Sequence, residues 1–274
     1  MRKITVEGIE INFNDLTEEK QKEIYEKNKK KYKQDASKSK YYSIRLAVVE
    51  NETDSSELLN IMMRAEIEGD MDNIYLVGSI FKNKIFKIEE ETIKILATSD
   101  VEVYRKKAAE LSKDSKLLNQ MLRNEVNGEQ DDEVEEAIFD NEAFEIEEET
   151  IKILATSDVG VYRQKAAELS KDSKLLNQML RKEVNDEQND YVENAIFDNE
   201  AFEIEEETIK ILETSDFYGY RQKAAELSKD VGRLLIMFER ELNNGTFEVL
   251  EAIVKNDLFE KETLLKYIRN NYYY

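Results

Sequence analysis

Residues 138–154 read IFDNEAFEIEEETIKIL, and residues 196–212 read the same seventeen letters. A looser copy, IFKNKIFKIEEETIKIL, starts at residue 80, so the period is 58 residues each time. Self-similarity at a fixed period in this range marks a chain built from stacked supersecondary units. Each period contains four short segments with apolar residues at helical spacing. One is SKLLNQMLRNEV, where Leu117, Leu118, Met121, Leu122 and Val126 form a single stripe. Another is IEEETIKILATS, with Ile146, Ile151 and Leu154 on the inward side. Such short helices cannot bury their apolar sides alone. Stacking against neighbouring pairs covers them, which predicts an all-α, right-handed α-solenoid of stacked short helix pairs with a 58-residue double repeat.

Working outward, residues 41–79 align with the first half of the period as a degenerate first repeat. Clear repeats follow at 80–137, 138–195 and 196–253, and residues 254–274 read as a C-terminal cap and tail. Drift in the outer copies suits capping units, which face water on one side. An acidic residue is expected to cap each unit: Asp100 before VEVYRKKAAEL, Asp132 before EVEEAIFD, and Asp158 in the next period. Residues 1–40 differ. KITVEG and IEINF alternate around Gly8 and predict a β-hairpin. Asn14 or Thr17 then caps one helix through TEEKQKEIYEKNKKKYK, with Asp15, Glu18 and Glu19 at its start and lysines at its end. KQDASKSK reads as a short linker.

LATSDVGVYRQKAAELSKDSKLLNQML and DDEVEEAIFDNEAFEIEEETIKILA resemble leucine-rich repeat variant units, relatives of HEAT-like helical repeats. Leu154, Ala155, Asp158, Arg163, Ala166, Ala167, Leu175, Leu176 and Leu180 fill the motif's places in one unit, with Tyr162 where Val is usual. Asp132, Val134, Ala137, Asn141, Ile151 and Leu154 do so in the other. The resemblance covers residues 41–268 and implies a fold and a binding habit, not a reaction.

Composition narrows the function. The chain of 274 residues has no Pro, Cys, His or Trp. That excludes disulfides, thiolate or imidazole metal sites, cysteine nucleophiles and histidine-based triads. No apolar run approaches membrane-spanning length, and the N-terminus shows no signal-peptide core, so a cytoplasmic protein without cofactors is expected. The net charge is −21. Residues 1–45 hold twelve Lys/Arg and eight Asp/Glu, a net +4, which leaves −25 for the remainder. A body this acidic attracts basic proteins and repels phosphate backbones.

Five features are candidates for function. The acidic run Glu145, Glu147, Glu148 and Glu149 recurs as Glu203, Glu205, Glu206 and Glu207, more acids than a helix start needs. These eight are the expected partner-binding residues. Lys29, Lys30, Lys31 and Lys33 are possible nucleic-acid contacts. Lys82, Lys84 and Lys87 become Asp140, Glu142 and Glu145 one period on, a polarity that also suits self-association. The ladder Arg105, Arg163 and Arg221, beside Tyr104, Tyr162 and Tyr220, is expected to pair with acids on adjacent helices and to pack between repeats. The tail YIRNNYYY is either a frayed end or an aromatic anchor. The sequence therefore predicts a non-enzymatic acidic repeat protein that binds a basic protein partner. One form of that function is inhibition of a nucleic-acid-binding enzyme by filling its channel, as a phage-encoded anti-defence protein would. The alternative is a nucleic-acid-binding adaptor that uses the lysine-rich arm.

Overall fold

A computed structural model describes residues 3–6, 9–69, 74–128, 131–187, 189–244 and 246–259. It is all-helical apart from one hairpin. Strands β1 (Lys3–Val6) and β2 (Ile9–Asn12) pair antiparallel with Lys3 opposite Asn12. The expected turn residue Gly8 lies outside the described residues, as does the tail YIRNNYYY.

The single N-terminal helix expected from the sequence is two: α1 (Glu18–Lys27) and α2 (Lys29–Ala36). Thr17 caps α1. The break falls at Asn28, whose φ of −155° leaves the helix and whose side chain accepts the Lys31 N–H as the cap of α2. Asparagine favours such local bonding over a helix interior. Nor is KQDASKSK a linker. Its first half lies in α2, and Ala36 and Ser39 are buried. Ser39 donates to the buried Gln21 at 2.6 Å, Gln21 donates to the Leu16 carbonyl, and Phe13 stacks on Tyr32.

The chain forms two compact units, residues 1–145 and 146–274. The first continues with α3 (Tyr42–Asn51), α4 (Ser56–Glu68), α5 (Ile74–Lys82), α6 (Glu90–Ala97), α7 (Glu102–Leu111), α8 (Ser115–Asn127) and α9 (Asp132–Phe139). Within it α3 packs on α5 and α7 on α9, while α4, α6 and α8 form a second layer. The second unit contains α10 (Glu148–Thr156), α11 (Gly160–Leu169), α12 (Ser173–Lys182), α13 (Asp190–Asp198), α14 (Glu206–Thr214), α15 (Tyr218–Leu227), α16 (Val231–Asn244) and α17 (Phe247–Lys255). There α11 packs on α13 and α15 on α17, while α12 lies between α10 and α14. Both units are thus built from helix pairs in two layers.

The repeated letters are a set of polar clamps around this packing. Asn141 donates to the Ala109 and Ser112 carbonyls at 2.6 and 3.0 Å. Asn83, Asn199 and Asn256 bond the equivalent carbonyls in their copies. Each amide thereby satisfies carbonyls that a helix end leaves open. Phe139 meets Phe144 edge-on at 5.6 Å, a contact repeated by Phe81 with Phe86 and by Phe197 with Phe202. The arginine ladder bolts each helix pair together. Arg105 donates to Glu125, Arg163 to Glu183 and Arg221 to Glu241, at 2.7, 2.6 and 2.9 Å. Arg45 does the same for Glu66 in the degenerate first repeat. All four glutamates are buried, and so are Tyr104, Tyr162 and Tyr220.

The expected acidic caps shift. Helices α7, α11 and α15 begin after Val101, Val159 and Phe217, whose N–H groups are held by Ser99, Ser157 and Ser215. Asp100 and Asp158 instead offer backbone carbonyls to Arg105 and Arg163. Asp131, not Asp132, caps α9. These three helices carry no side-chain cap bond; each serine holds the N–H of the residue at the cap position.

In the second unit the Tyr220 hydroxyl donates to Glu193. Burial pushes the Glu193 carboxyl above its ordinary value of 4.5; Asp190 and Glu183 add to the rise, and Tyr220 opposes it. A carboxyl raised in the folded state favours folding fully below its unfolded pKa, and that contribution is lost as pH rises through the folded value. Glu193→Gln is therefore expected to raise the urea midpoint at neutral pH, with the gain disappearing below pH 4.5. An equal gain at both pH values would show that titration is not its cause.

Candidate protein-binding surface

The eight glutamates singled out in the sequence do different work. Glu145 and Glu203 lie in the loops after α9 and α13, whose backbone is fixed from α8 and α12. Ser115 and Asn119 bond the Glu145 carbonyl at 2.9 and 2.8 Å, and Ser173 and Asn177 bond the Glu203 carbonyl at the same distances. Their side chains point into solvent. Glu147 and Glu205 are the cap positions of α10 and α14 and are half-buried. Glu205 is gripped by Arg181 at 2.9 Å, and Arg181 also reaches the buried Thr208. Glu148 pairs with Lys152 one turn on. Glu206 pairs with Lys210 and receives a bond from Arg233 of α16. Glu149 and Glu207 are exposed.

The run therefore divides. Glu145, Glu149, Glu203 and Glu207 are exposed and make no ion pair among the described residues. In the second unit α12 sits between the helices that carry Glu149 and Glu207. Along a helix start, adjacent residues face directions about 100° apart, so neighbours meet different surroundings.

The lysine arm is largely tied down. Lys33 reaches the buried Glu52 at 3.0 Å, and Glu52 also accepts the Asp54 and Ser55 N–H groups. Lys29 bonds Asn51 at 2.7 Å and pairs with Glu26. Lys31 lies over the Tyr32 ring. Lys30 is exposed.

No family model matches the chain, and no curated protein or solved structure matches it. The geometry alone must therefore carry the functional reading.

One pairing escaped the sequence. A cleft of about 690 Å³ in the first unit is lined by Ser99, Asp100, Glu102, Arg105, Glu125 and Asp131. Glu102 and Asp131 both line it, and the interaction with Asp131 and the nearby negative charge pushes the Glu102 carboxyl up. The two lie 29 residues apart, at the starts of different helices. One period later Gly160 and Asn189 stand in their places. Such a pair can hold a proton between its oxygens. Among the described residues no group of three or more acidic ligands is arranged to hold a metal ion. Among them, too, no helix is long and apolar enough to cross a membrane.

Proposed function

We propose that the chain is a right-handed α-solenoid that acts without catalysis and holds a basic protein against its exposed carboxylates. The right-handed course is what the resemblance to leucine-rich repeat variants implies. The observation that carries the reading is the division of charge. The ladder arginines are engaged by buried glutamates, whereas Glu145, Glu149, Glu203 and Glu207 are exposed and in no ion pair among the described residues. Beyond the helix-dipole role of Glu149 and Glu207 in the first turns of α10 and α14, these exposed carboxylates add a negative field that steers positive partners. A nucleic-acid-binding enzyme is the partner class that fits best, with the carboxylates standing where phosphates would lie. Against the adaptor reading, Lys29 and Lys33 are engaged within their own unit, which weakens the arm as a nucleic-acid contact although Lys30 is exposed.

The test is a variant with Glu145, Glu149, Glu203 and Glu207 all replaced by Gln, compared with the parent for binding to a basic protein captured from nuclease-treated lysate. Affinity is expected to fall at least about tenfold at low salt, and its salt dependence to flatten. Equal affinity and an unchanged salt slope would rule out the acidic surface. Capture that disappears when nuclease is added would point instead to nucleic acid.

A further inference from the structure

The second unit has another edge, formed by the first turns of the first-layer helices. These turns lie side by side. A Cβ at Gly160, which opens α11, would sit 2.3 Å from the Asn189 amide that caps α13. Tyr220 of α15 reaches Glu193 of α13, and Arg221 of α15 reaches Thr246 at the start of α17. Along this edge Tyr191 is 74% exposed and Phe247 70% exposed, with Val161, Phe217 and Tyr218 also open to solvent. The Phe217 ring rests on Tyr218 and Tyr220 at 5.3 Å each, so part of the aromatic surface is held in place.

The copies show that these rings are not required by the fold. Residues 112–123 and 170–181 are identical, surface letters included. At the edge the copies diverge: Glu133 becomes Tyr191, Val101 becomes Phe217, and Glu102 becomes Tyr218 by way of Gly160. The exposed pair of Glu133 with Lys106 has Tyr191 and Gln164 at the equivalent positions. Charged groups have given way to rings at positions that stay in water, where an apolar surface has no folding benefit. At the same helix starts Asp190 precedes Tyr191 and Asp216 precedes Phe217 in the chain; both, and Asp158 before α11, are exposed and in no ion pair among the described residues.

We propose that this edge binds an arginine-bearing segment of a protein partner, with guanidinium groups stacked on Tyr191 and Tyr218 and bonded to the neighbouring carboxylates. A ring face and a carboxylate side by side match the flat face and the forked edge of one guanidinium. Nucleic-acid bases would stack on the same rings, but their phosphates are repelled by the three aspartates. The inference rests on the reading that the partner is basic and places a second contact on different helices from the glutamate run.

The test uses the full chain and a fluorescein-labelled peptide of repeating Arg-Gly-Ser, followed by anisotropy at physiological ionic strength. The informative variant is Tyr191→Glu with Tyr218→Glu, which restores the first copy's letters and adds two negative charges. Pure charge attraction makes it bind more tightly. The edge predicts weaker binding, by about tenfold for two lost ring contacts, while Tyr191→Phe with Tyr218→Phe binds like the parent. Parent-like or tighter binding by the glutamate variant overturns the proposal, as does a parent that does not bind the peptide. Sedimentation showing that the parent self-associates and the glutamate variant does not would also overturn it, because the edge then joins two copies. The four-glutamine variant separates the two surfaces. Loss of peptide binding there alone sinks this edge and leaves the glutamate run standing; loss only in the tyrosine variant does the reverse.

Discussion

Arg163→Ala is expected to lower the unfolding free energy by about 3–5 kcal/mol, the cost of leaving a buried charge without its partner. Arg163 is 2% exposed and Glu183 fully buried. The guanidinium also donates to the Ser157 and Asp158 carbonyls at 3.0 and 2.9 Å, so one side chain joins two helices and the loop before them. Removing it strands a carboxylate and two carbonyls together. Replacing both partners, as Arg163→Met with Glu183→Leu, is expected to restore part of the loss: the stranded carboxylate is gone, while the Ser157 and Asp158 carbonyls still lack their donor. Lys152→Ala is the control. Its pair with Glu148 is exposed on both sides, and its loss should leave the urea midpoint essentially unchanged. Urea unfolding followed by far-ultraviolet circular dichroism measures all three. A loss below about 1 kcal/mol for Arg163→Ala would mean that water reaches Glu183 and that the bolt is not structural.

Asn177→Ala is expected to cost about 3 kcal/mol, with a local signature. The Asn177 amide donates to the Ser173 and Glu203 carbonyls, and its oxygen accepts the Glu205 N–H at 2.8 Å. The side chain is fully buried, so alanine leaves the Glu205 N–H without its partner and the Glu203 carbonyl with the Ser173 hydroxyl alone. Asn177→Asp keeps the acceptor, loses both donated bonds and buries a charge, and should be worse. Amide hydrogen exchange gives the local readout. The Glu205 N–H is expected to exchange faster in Asn177→Ala even under conditions where the unit stays folded. Unchanged protection at Glu205 would show that the loop is held by the Phe197–Phe202 contact instead. Leu235 and Val231 stand at the positions of Asn177 and Ser173 in the last copy, so that copy has no such clamp to lose.

Much of the helix pairing was legible from periodicity. The stripe of Leu118, Met121 and Leu122 is buried as its spacing implied, and α8 spans the segment that carries it. The hairpin strands were legible for the same reason. The polar framework was legible only in outline: the ladder arginines were expected to meet acids on adjacent helices, and they do, but which acids was not evident. Glu125, Glu183 and Glu241 read as ordinary acids at a helix end, and only their constant offset of 20 residues from Arg105, Arg163 and Arg221 hints at the pairing. Asn28 looked like one more polar residue in a lysine-rich helix, although its side chain competes for the backbone and ends α1. The acidic run was found by counting letters, but counting cannot separate Glu205, clamped by Arg181, from the exposed Glu207. The aromatic edge was missed because Tyr191 and Tyr218 are 27 residues apart. The signal was present in the few letters by which near-identical copies differ.

The reach of the clamps bears on how the chain is made. The longest asparagine bond described above, from Asn83 to the Val49 carbonyl, spans 34 residues, and the Arg163–Glu183 bolt spans 20. Loop closure over such distances is fast, and contacts this local favour rapid folding. On a ribosome each helix pair has all the residues its bolt needs as soon as it emerges, with no wait for the far end of the chain. Folding is then vectorial, and an incomplete product exposes at most the apolar side of its newest pair rather than an entire unformed core.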